Sequence, residues 1–220
     1  MTSIIAINQS SPYYPRRLLD LQDPPLEIFC RGHLEALRLP SLAIVGSRKA
    51  SQQGLRHAHD FGKSLVHMGI CVVSGMAEGI DTASHLGALS SELDYCTIAV
   101  CGTSLDRCYP IKNKGLSQKI AENGLLISEY PIGTVTKPYH FPQRNRLIAA
   151  LSLGTLVVEA TQKSGSLITA RIANELGREV FAIPNGIGKV CSSGCHQLIR
   201  EGAKLTERPS DIAEELIFKL

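Results

Sequence analysis

The sequence predicts an α/β protein built on a parallel sheet with helices on both faces. Short runs of four or five residues, almost continuously apolar, recur along the chain, as expected of strands that are covered on both sides. Segments in which apolar residues repeat at helical spacing lie between most of them. Strand and helix thus alternate at intervals of roughly 25–30 residues, which favours right-handed crossovers and a parallel sheet.

The first forty residues differ from the rest. Five prolines interrupt any long element there, so we expect residues 1–40 to form an irregular lead-in packed on the core, with a short helix and a small strand at Ile28–Cys30. The sheet and its helices are expected over residues 41–208. A terminal helix is predicted over 209–220, where Ser210 can cap it and apolar residues follow at helical spacing.

The strands of the central region are predicted at Leu42–Val45, Ile70–Ser74, Thr97–Cys101, Leu125–Ser128, Leu156–Glu159 and Val180–Ile183. The helices between them are predicted at Gln52–Met68, Ile80–Ser91, Lys114–Asn123, Arg144–Leu153 and Leu167–Leu176. The first helix shows the signals most clearly, because Ser51 stands at its N-cap position and Gly69 follows its end.

Composition narrows the functional classes. With 44% hydrophobic and 20% charged residues, the 220-residue chain has the make-up of a folded soluble protein. No apolar run approaches the ~20 residues of a membrane span, and the N-terminus lacks the basic start of a signal peptide. The seven cysteines are an odd number, so we expect reduced thiols in a cytoplasmic protein. Cys191, Cys195 and His196 resemble half of a zinc site without a second ligand pair, so no metal is expected.

Ligands of an open parallel sheet bind beyond the carboxyl ends of its strands, so the loops there are the candidates for a site. The first loop contains Gly46, Ser47, Arg48 and Ser51. Glycine permits close backbone approach, the helix start supplies N–H groups, and Arg48 adds a fork of donors. This pattern predicts a small phosphate site, although it is neither a Walker A loop nor a dinucleotide fingerprint.

The stretches Phe141–Arg146 and Lys163–Thr169 add cations, hydroxyl groups and an aromatic ring. In a helix Arg144 and Arg146 lie about 200° apart, so we expect one to bind a ligand and the other to pair with a carboxylate such as Glu129 or Glu159. The stretch from Lys163 to Thr169 predicts an anion site, with Ser166 as the N-cap of the next helix.

Two further loops carry weaker signals. Asp81 suits a helix start, and a contact between Asp81 and His85 one turn later is possible. The loop after Cys101 adds Arg107 to the same edge.

Cations fix phosphates and aromatic rings stack on unpaired bases, whereas no nucleophile, base and orienting partner occur together. The pattern therefore favours a single-stranded nucleic-acid groove over an active site.

Four motifs in order extend this interpretation: Ala43–Arg48, Val73–Asp81, Phe141–Arg146 and Ser164–Ala170. With them, the chain resembles the DNA-processing protein A (DprA, also called Smf) family from about residue 12 to residue 205. The resemblance implies an extended Rossmann-like domain that binds single-stranded DNA and is not an enzyme. It also implies a homodimer that protects incoming DNA in natural transformation and loads a RecA-type recombinase onto it.

The resemblance, together with Gly46 of the first loop, gives the predicted DNA- and phosphate-binding residues, with no catalytic residue, metal or cofactor. They are Gly46, Ser47, Arg48, Ser51, Lys137, Phe141, Arg144, Asn145, Ser164, Gly165, Ser166 and Thr169. Asn185 and His196 depart from the family's usual residues. The helical N-terminal domain and the C-terminal winged helix of many members are expected to be absent.

An enzyme is the alternative interpretation. The segment Gly154–Glu159 partly matches the loop that carries the catalytic acid of lysine-decarboxylase-like nucleotide hydrolases. It lacks the leading glycines, and Glu159 stands one residue too late, which on a strand turns the side chain to the other face.

Overall fold

A computed structural model describes residues 3–216. The strands are β1 Ile4–Asn8, β2 Glu27–Gly32, β3 Ser41–Val45, β4 Cys71–Ser74, β5 Thr97–Cys101, β6 Leu125–Ser128, β7 Gly154–Val157, β8 Glu179–Ala182 and β9 Lys204–Leu205. The α-helices are α1 Gln52–His67, α2 Ile80–Leu89, α3 Lys114–Asn123, α4 His140–Leu151, α5 Gly165–Glu175, α6 Ser193–Arg200 and α7 Pro209–Leu216. Two 3₁₀ helices, Arg16–Asp20 and Leu34–Arg38, flank β2.

Within residues 3–216 all strands join one sheet, in the order β1-β2-β6-β5-β4-β3-β7-β8-β9. From β6 to β9 every neighbouring pair is parallel, whereas β1 and β2 add an antiparallel margin. The chain moves from β3 through β4 and β5 to β6, then returns to place β7 on the other side of β3. The loops after β3 and β7 therefore diverge, which creates the crevice where such sheets bind ligands.

Alternation along the strands divides the core between the two faces of the sheet. In β3, Ala43 and Val45 pack in a cluster with α4, α5 and the first 3₁₀ helix. Leu42 and Ile44 face the other way, toward α1, α2 and α7. Burial on both faces explains why these strands are almost continuously apolar.

The predicted parallel α/β architecture with helices on both faces is confirmed, with differences in detail. The lead-in is more regular than expected, because β1 and β2 pair with each other and with β6. Helix α4 begins at His140, four residues before its predicted start at Arg144. The predicted terminal helix is present as α7, and residues 217–220 of that prediction lie outside the described residues.

The part of the chain that the structure describes contains neither a membrane-spanning helix nor a metal-binding cluster. None of its helices has both the length and the apolar character needed to cross a bilayer. No group of three or more His, Cys, Asp or Glu side chains is arranged to hold a metal ion between residues 3 and 216. His196, the histidine of the partial zinc pattern, instead forms a 2.8 Å hydrogen bond with the carbonyl oxygen of Asn185.

Candidate nucleic-acid interface

A pocket of about 290 Å³ opens at the point where the loops after β3 and β7 diverge. Ten of the twelve predicted site residues line it, so the fold brings together loops that are far apart in sequence. They are Gly46, Ser47, Arg48, Phe141, Arg144, Asn145, Ser164, Gly165, Ser166 and Thr169. Ser51 and Lys137 do not line this pocket.

Arg48 and Lys49 supply the exposed positive charge of the first loop. Within residues 3–216, no carboxylate oxygen lies within 4.0 Å of either side chain's nitrogen atoms. The Ser47 hydroxyl accepts a hydrogen bond from the Lys49 amide at 3.1 Å, which fixes the turn. The two cations therefore remain available for a phosphate.

The N-terminus of α5 forms the opposite wall. Ser164 is the N-cap, because its hydroxyl accepts from the Ser166 amide at 3.4 Å, so the prediction that Ser166 caps this helix is wrong. The two hydroxyls lie 2.7 Å apart. Gly165 is exposed, and no heavy atom lies within 4 Å of where its Cβ would be. Thr169 is buried one turn further along and also faces the pocket.

The N-terminus of α1 is closed by Glu159. This buried carboxylate accepts from the Ser51 amide at 2.9 Å and from the Ser51 hydroxyl at 2.5 Å. The hydroxyl in turn accepts from the Gly54 amide at 3.0 Å, as the predicted N-cap should. A Cβ at position 54 would lie 2.5 Å from the Glu159 carboxyl carbon. Ser51 thus directs its donors to Glu159, contrary to the phosphate role predicted for it.

The two arginines of α4 play different parts. Arg146 pairs with Glu129, which confirms that one of them binds a carboxylate. Arg144 is buried, and its Nη1 donates to the carbonyl oxygens of Gly75 and Val100. Burial lowers the pKa of Arg144, and nearby Asp81 opposes that shift. Arg144, predicted as a DNA-binding residue, thus lines the pocket as a buried cation held by two backbone carbonyls.

Asn145 connects the two walls. Its side-chain oxygen accepts from Nε of Arg144 at 3.2 Å, and its side-chain nitrogen donates to the Gly165 carbonyl at 3.4 Å. It therefore holds the start of α5 against α4.

Asp81 and His85 do not form the contact that the sequence allowed. Asp81 accepts from the Ala77 amide at 3.3 Å, and burial raises its pKa. His85 lies 2.7 Å from the Thr97 hydroxyl through Nδ1, and burial lowers its pKa to about 3. His85 is therefore a packed neutral residue.

Aromatic rings extend the pocket toward the loop after β5. The Phe141 and Tyr109 ring centroids are 5.0 Å apart, and Tyr109 is 57% exposed. With Lys49 they line an adjoining cavity of about 240 Å³. Lys137 lies on the loop before α4, with Nζ 5.8 Å from the Tyr139 ring centroid. Tyr109 and Lys49 were missed as site residues, although both lie on loops that follow strands of the sheet, where the sequence could have pointed to them.

The arrangement combines exposed cations, a helix start at which Ser164 caps one amide and Gly165 stays exposed, and the rings of Phe141 and Tyr109. It suits an anionic ligand that also offers a flat π face. The carboxylate proposed for the enzyme alternative, Glu159, is held by Ser51. A general acid or base must reach its substrate, and this one points into the protein.

Comparison with known proteins agrees with this geometry. The chain is 45% identical over 205 residues to DNA processing protein DprA of Streptococcus pneumoniae, covering 93% of this chain and 72% of that protein. An X-ray structure of the pneumococcal protein superposes with a TM-score of 0.92, covering 97% of this chain and 74% of that one, at 43% identity. A structure titled for the single-stranded DNA binding mode of DNA processing protein A from Helicobacter pylori gives 0.88 at 29% identity, covering 100% and 99%.

Protein Smf of Escherichia coli is 44% identical over 215 residues, which cover 97% of this chain but 57% of that protein. The chain thus spans between about half and three quarters of these curated relatives. The model of the family described as DNA recombination-mediator protein A matches residues 5–217, nearly all of the sequence. Together with a mostly parallel sheet whose cationic loops meet at its switch point, this match shows that the chain belongs to the DNA recombination-mediator protein A family.

Proposed function

We propose that this chain binds single-stranded DNA in the pocket between the loops after β3 and β7. Arg48 and the amides at the start of α5 contact phosphates, and Phe141 and Tyr109 stack on bases. The observation that carries the proposal is Arg48, an exposed guanidinium without a carboxylate partner in the described residues, facing an open helix start. An anion is the group that such a pair of walls attracts.

The wider role that we propose follows from the family. Relatives are named as DNA processing proteins, and the structure of the Helicobacter pylori protein is described in terms of its single-stranded DNA binding mode. On that basis the protein protects incoming single strands in the cytoplasm during natural transformation and loads a RecA-type recombinase onto them as a homodimer. It does so by binding alone, without a catalytic step.

The test is fluorescence anisotropy with a labelled oligo-dT and with its duplex across a salt series. We expect tighter binding to the single strand, with affinity falling steeply as salt rises, because phosphate contacts release counterions. Arg48→Ala should weaken binding roughly tenfold, and it should reduce the slope of log affinity against log salt by about 0.7, one phosphate on a single strand.

Lys63→Ala is the matched control, since Lys63 is exposed on α1, about 16 Å along the helix from its start. It should leave affinity and slope unchanged. Equal affinity for duplex, or normal binding by Arg48→Ala, would contradict the proposal. Release of free base from nucleoside monophosphates, abolished by Glu159→Gln, would instead favour the enzyme.

A further inference from the structure

A second cationic cavity lies at the opposite edge of the sheet. It encloses about 220 Å³ at the amino ends of the strands, beside Ser41, the first residue of β3. Three arginines line it: Arg16 and Arg17 from the first 3₁₀ helix and Arg38 from the second. Its floor is Leu151, the last residue of α4. None of these residues belongs to the interface described above.

The three guanidinium groups lack acidic partners. Within residues 3–216 no carboxylate oxygen lies within 4.0 Å of their nitrogen atoms, and no acidic residue lines the cavity. The neighbouring carboxylate, Asp20, is paired with Arg178 at 2.5 Å. Burial lowers the pKa of Arg17 and the positive charge of Arg178 lowers it further, whereas Asp20 opposes the shift. Among the described residues no carboxylate in salt-bridge contact balances the three guanidinium groups, and an anion in the cavity would do so.

Each arginine is positioned differently, and two keep their donors outward. Arg17 Nη1 donates to the Leu151 carbonyl at 3.5 Å, a contact that suits the C-terminus of α4. Arg38 is exposed with its guanidinium 4.5 Å from the Tyr13 ring centroid, which steers the group while leaving its edge open. Arg16 is exposed beside it. Stacking an arginine and leaving its fork free is a common way to present it to a ligand.

Phosphate matches this arrangement better than a carboxylate does. A phosphate offers oxygens in several directions and can accept from guanidinium groups on different sides, whereas one carboxylate is satisfied by a single fork. The distance also fits a nucleic-acid strand. Phe141 and Leu151, on the two sites, are ten residues apart in α4, which is about 15 Å along the helix. At ~3.4 Å per stacked nucleotide, roughly four to five nucleotides separate the sites in addition to those that fill the main pocket, so a hexamer that fills the main pocket does not reach the second site.

We propose that Arg16, Arg17 and Arg38 form a second phosphate site that engages single-stranded DNA after the strand leaves the main pocket. This inference rests on the proposed function, since it needs a strand bound at the first site. The strand then contacts both edges of the sheet, and its affinity depends on its length.

The experiment compares dT6, which fills the main pocket alone, with dT25, which reaches both sites. The variant is Arg16→Ala with Arg38→Ala, leaving Arg17 to support α4. The control is Lys63→Ala with Lys119→Ala, which removes two exposed charges from helices on the other face of the sheet. We expect the arginine variant to bind dT25 about five- to tenfold more weakly, with a salt slope reduced by about 1.4, or 0.7 per phosphate. Its affinity for dT6 should stay within twofold, and the control should bind both normally.

Each other outcome is informative. If the wild type does not bind dT6, the proposed DNA binding in the main pocket is wrong. If the arginine variant binds dT25 normally, only the second site is wrong. Because Arg38→Ala removes a contact with Tyr13, Arg16→Ala alone, with its Tm checked, must give part of the same loss. Loss of pyrophosphate binding in the arginine variant, without any loss of dT25 binding, would instead assign this cavity to free phosphates and reject the strand.

Discussion

Helices α1 and α5 begin at the same edge of the sheet, each behind a capping serine, yet their N-termini differ. At α1 the Glu159 carboxylate occupies the space before the helix and accepts from both donors of Ser51. At α5 no carboxylate among the pocket-lining residues does so, and Ser164 satisfies one amide by itself while Gly165 stays exposed.

The difference shows that an anion-attracting helix start becomes a ligand site only if the protein does not fill it. Both termini carry the same partial positive charge. The N-terminus of α1 is occupied by the Glu159 carboxylate, whereas the N-terminus of α5 remains open beside Arg48. Variants test these two helix starts separately: the closed end, where Glu159 meets Ser51 before α1, and the open end, where Ser164 and Gly165 begin α5.

The largest effect is expected from opening the closed end. Glu159→Ala removes both hydrogen bonds to Ser51 and leaves a cavity where the buried carboxylate stood, so it should lower the free energy of unfolding by about 3 kcal/mol in urea denaturation. Glu175→Ala, at an exposed carboxylate on α5, should change it by less than about 0.5 kcal/mol. Equal, small effects from both variants would mean that Glu159 does not support α1.

Helix α2, which begins at the same edge, contributes a pH dependence through His85 in its second turn. His85 is buried with a pKa lowered to about 3, whereas the unfolded chain takes up a proton near pH 6.5. The unfolded state thus binds more protons between these values, and stability is lost as pH falls below 6.5 toward 3. Between pH 6.5 and 4.5 the wild type should lose roughly 2 kcal/mol more than His85→Gln. Parallel pH curves for the two proteins would contradict this.

At the open end, Phe141 is expected to carry the stacking contribution. Phe141→Ala should weaken oligo-dT binding by about 1.5 kcal/mol, roughly tenfold, as one stacked base is lost. Phe141→Leu keeps apolar bulk against Gly102 but lacks the ring, so it should bind nearly as weakly. If Phe141→Leu binds like wild type in anisotropy measurements, the ring acts through packing and not through stacking.

The smallest effect separates the two serines of α5. Ser164→Ala removes the N-cap and should cost about 1 kcal/mol of stability, measured by urea denaturation. Ser166→Ala removes a hydroxyl that does not cap the helix, so its cost should be a few tenths of a kcal/mol. A reversal of this order would restore Ser166 as the cap.

The sheet and most helices could be predicted because their signals are local. Apolar runs and capping residues placed β5, β6 and α3 at their observed bounds. Strands β1 and β9 were not predicted, although β1 contains the apolar run Ile4–Ile7. The first is stabilised by pairing with β2, and the second has two residues with exposed side chains.

The sequence predicted which loops form the site, but it did not predict what each side chain contacts there. Periodicity placed Arg144 and Arg146 on different sides of a helix and could not say which faces outward. That choice depends on the carbonyls of Gly75 and Val100, which are 69 and 44 residues away in sequence. The partner of Ser51 is likewise 108 residues distant. Such pairings arise from tertiary structure, which no local pattern contains.

Gly54 leaves the room in which the Glu159 carboxylate closes the N-terminus of α1. Its single hydrogen atom leaves the space that the Glu159 carboxyl group fills, and a methyl group there would collide with it. A relative with alanine at this position would have to expel the acid, and would then offer a second vacant cluster of amides next to Arg48. The number of phosphates that this edge can hold is therefore governed by a glycine in the first turn of α1.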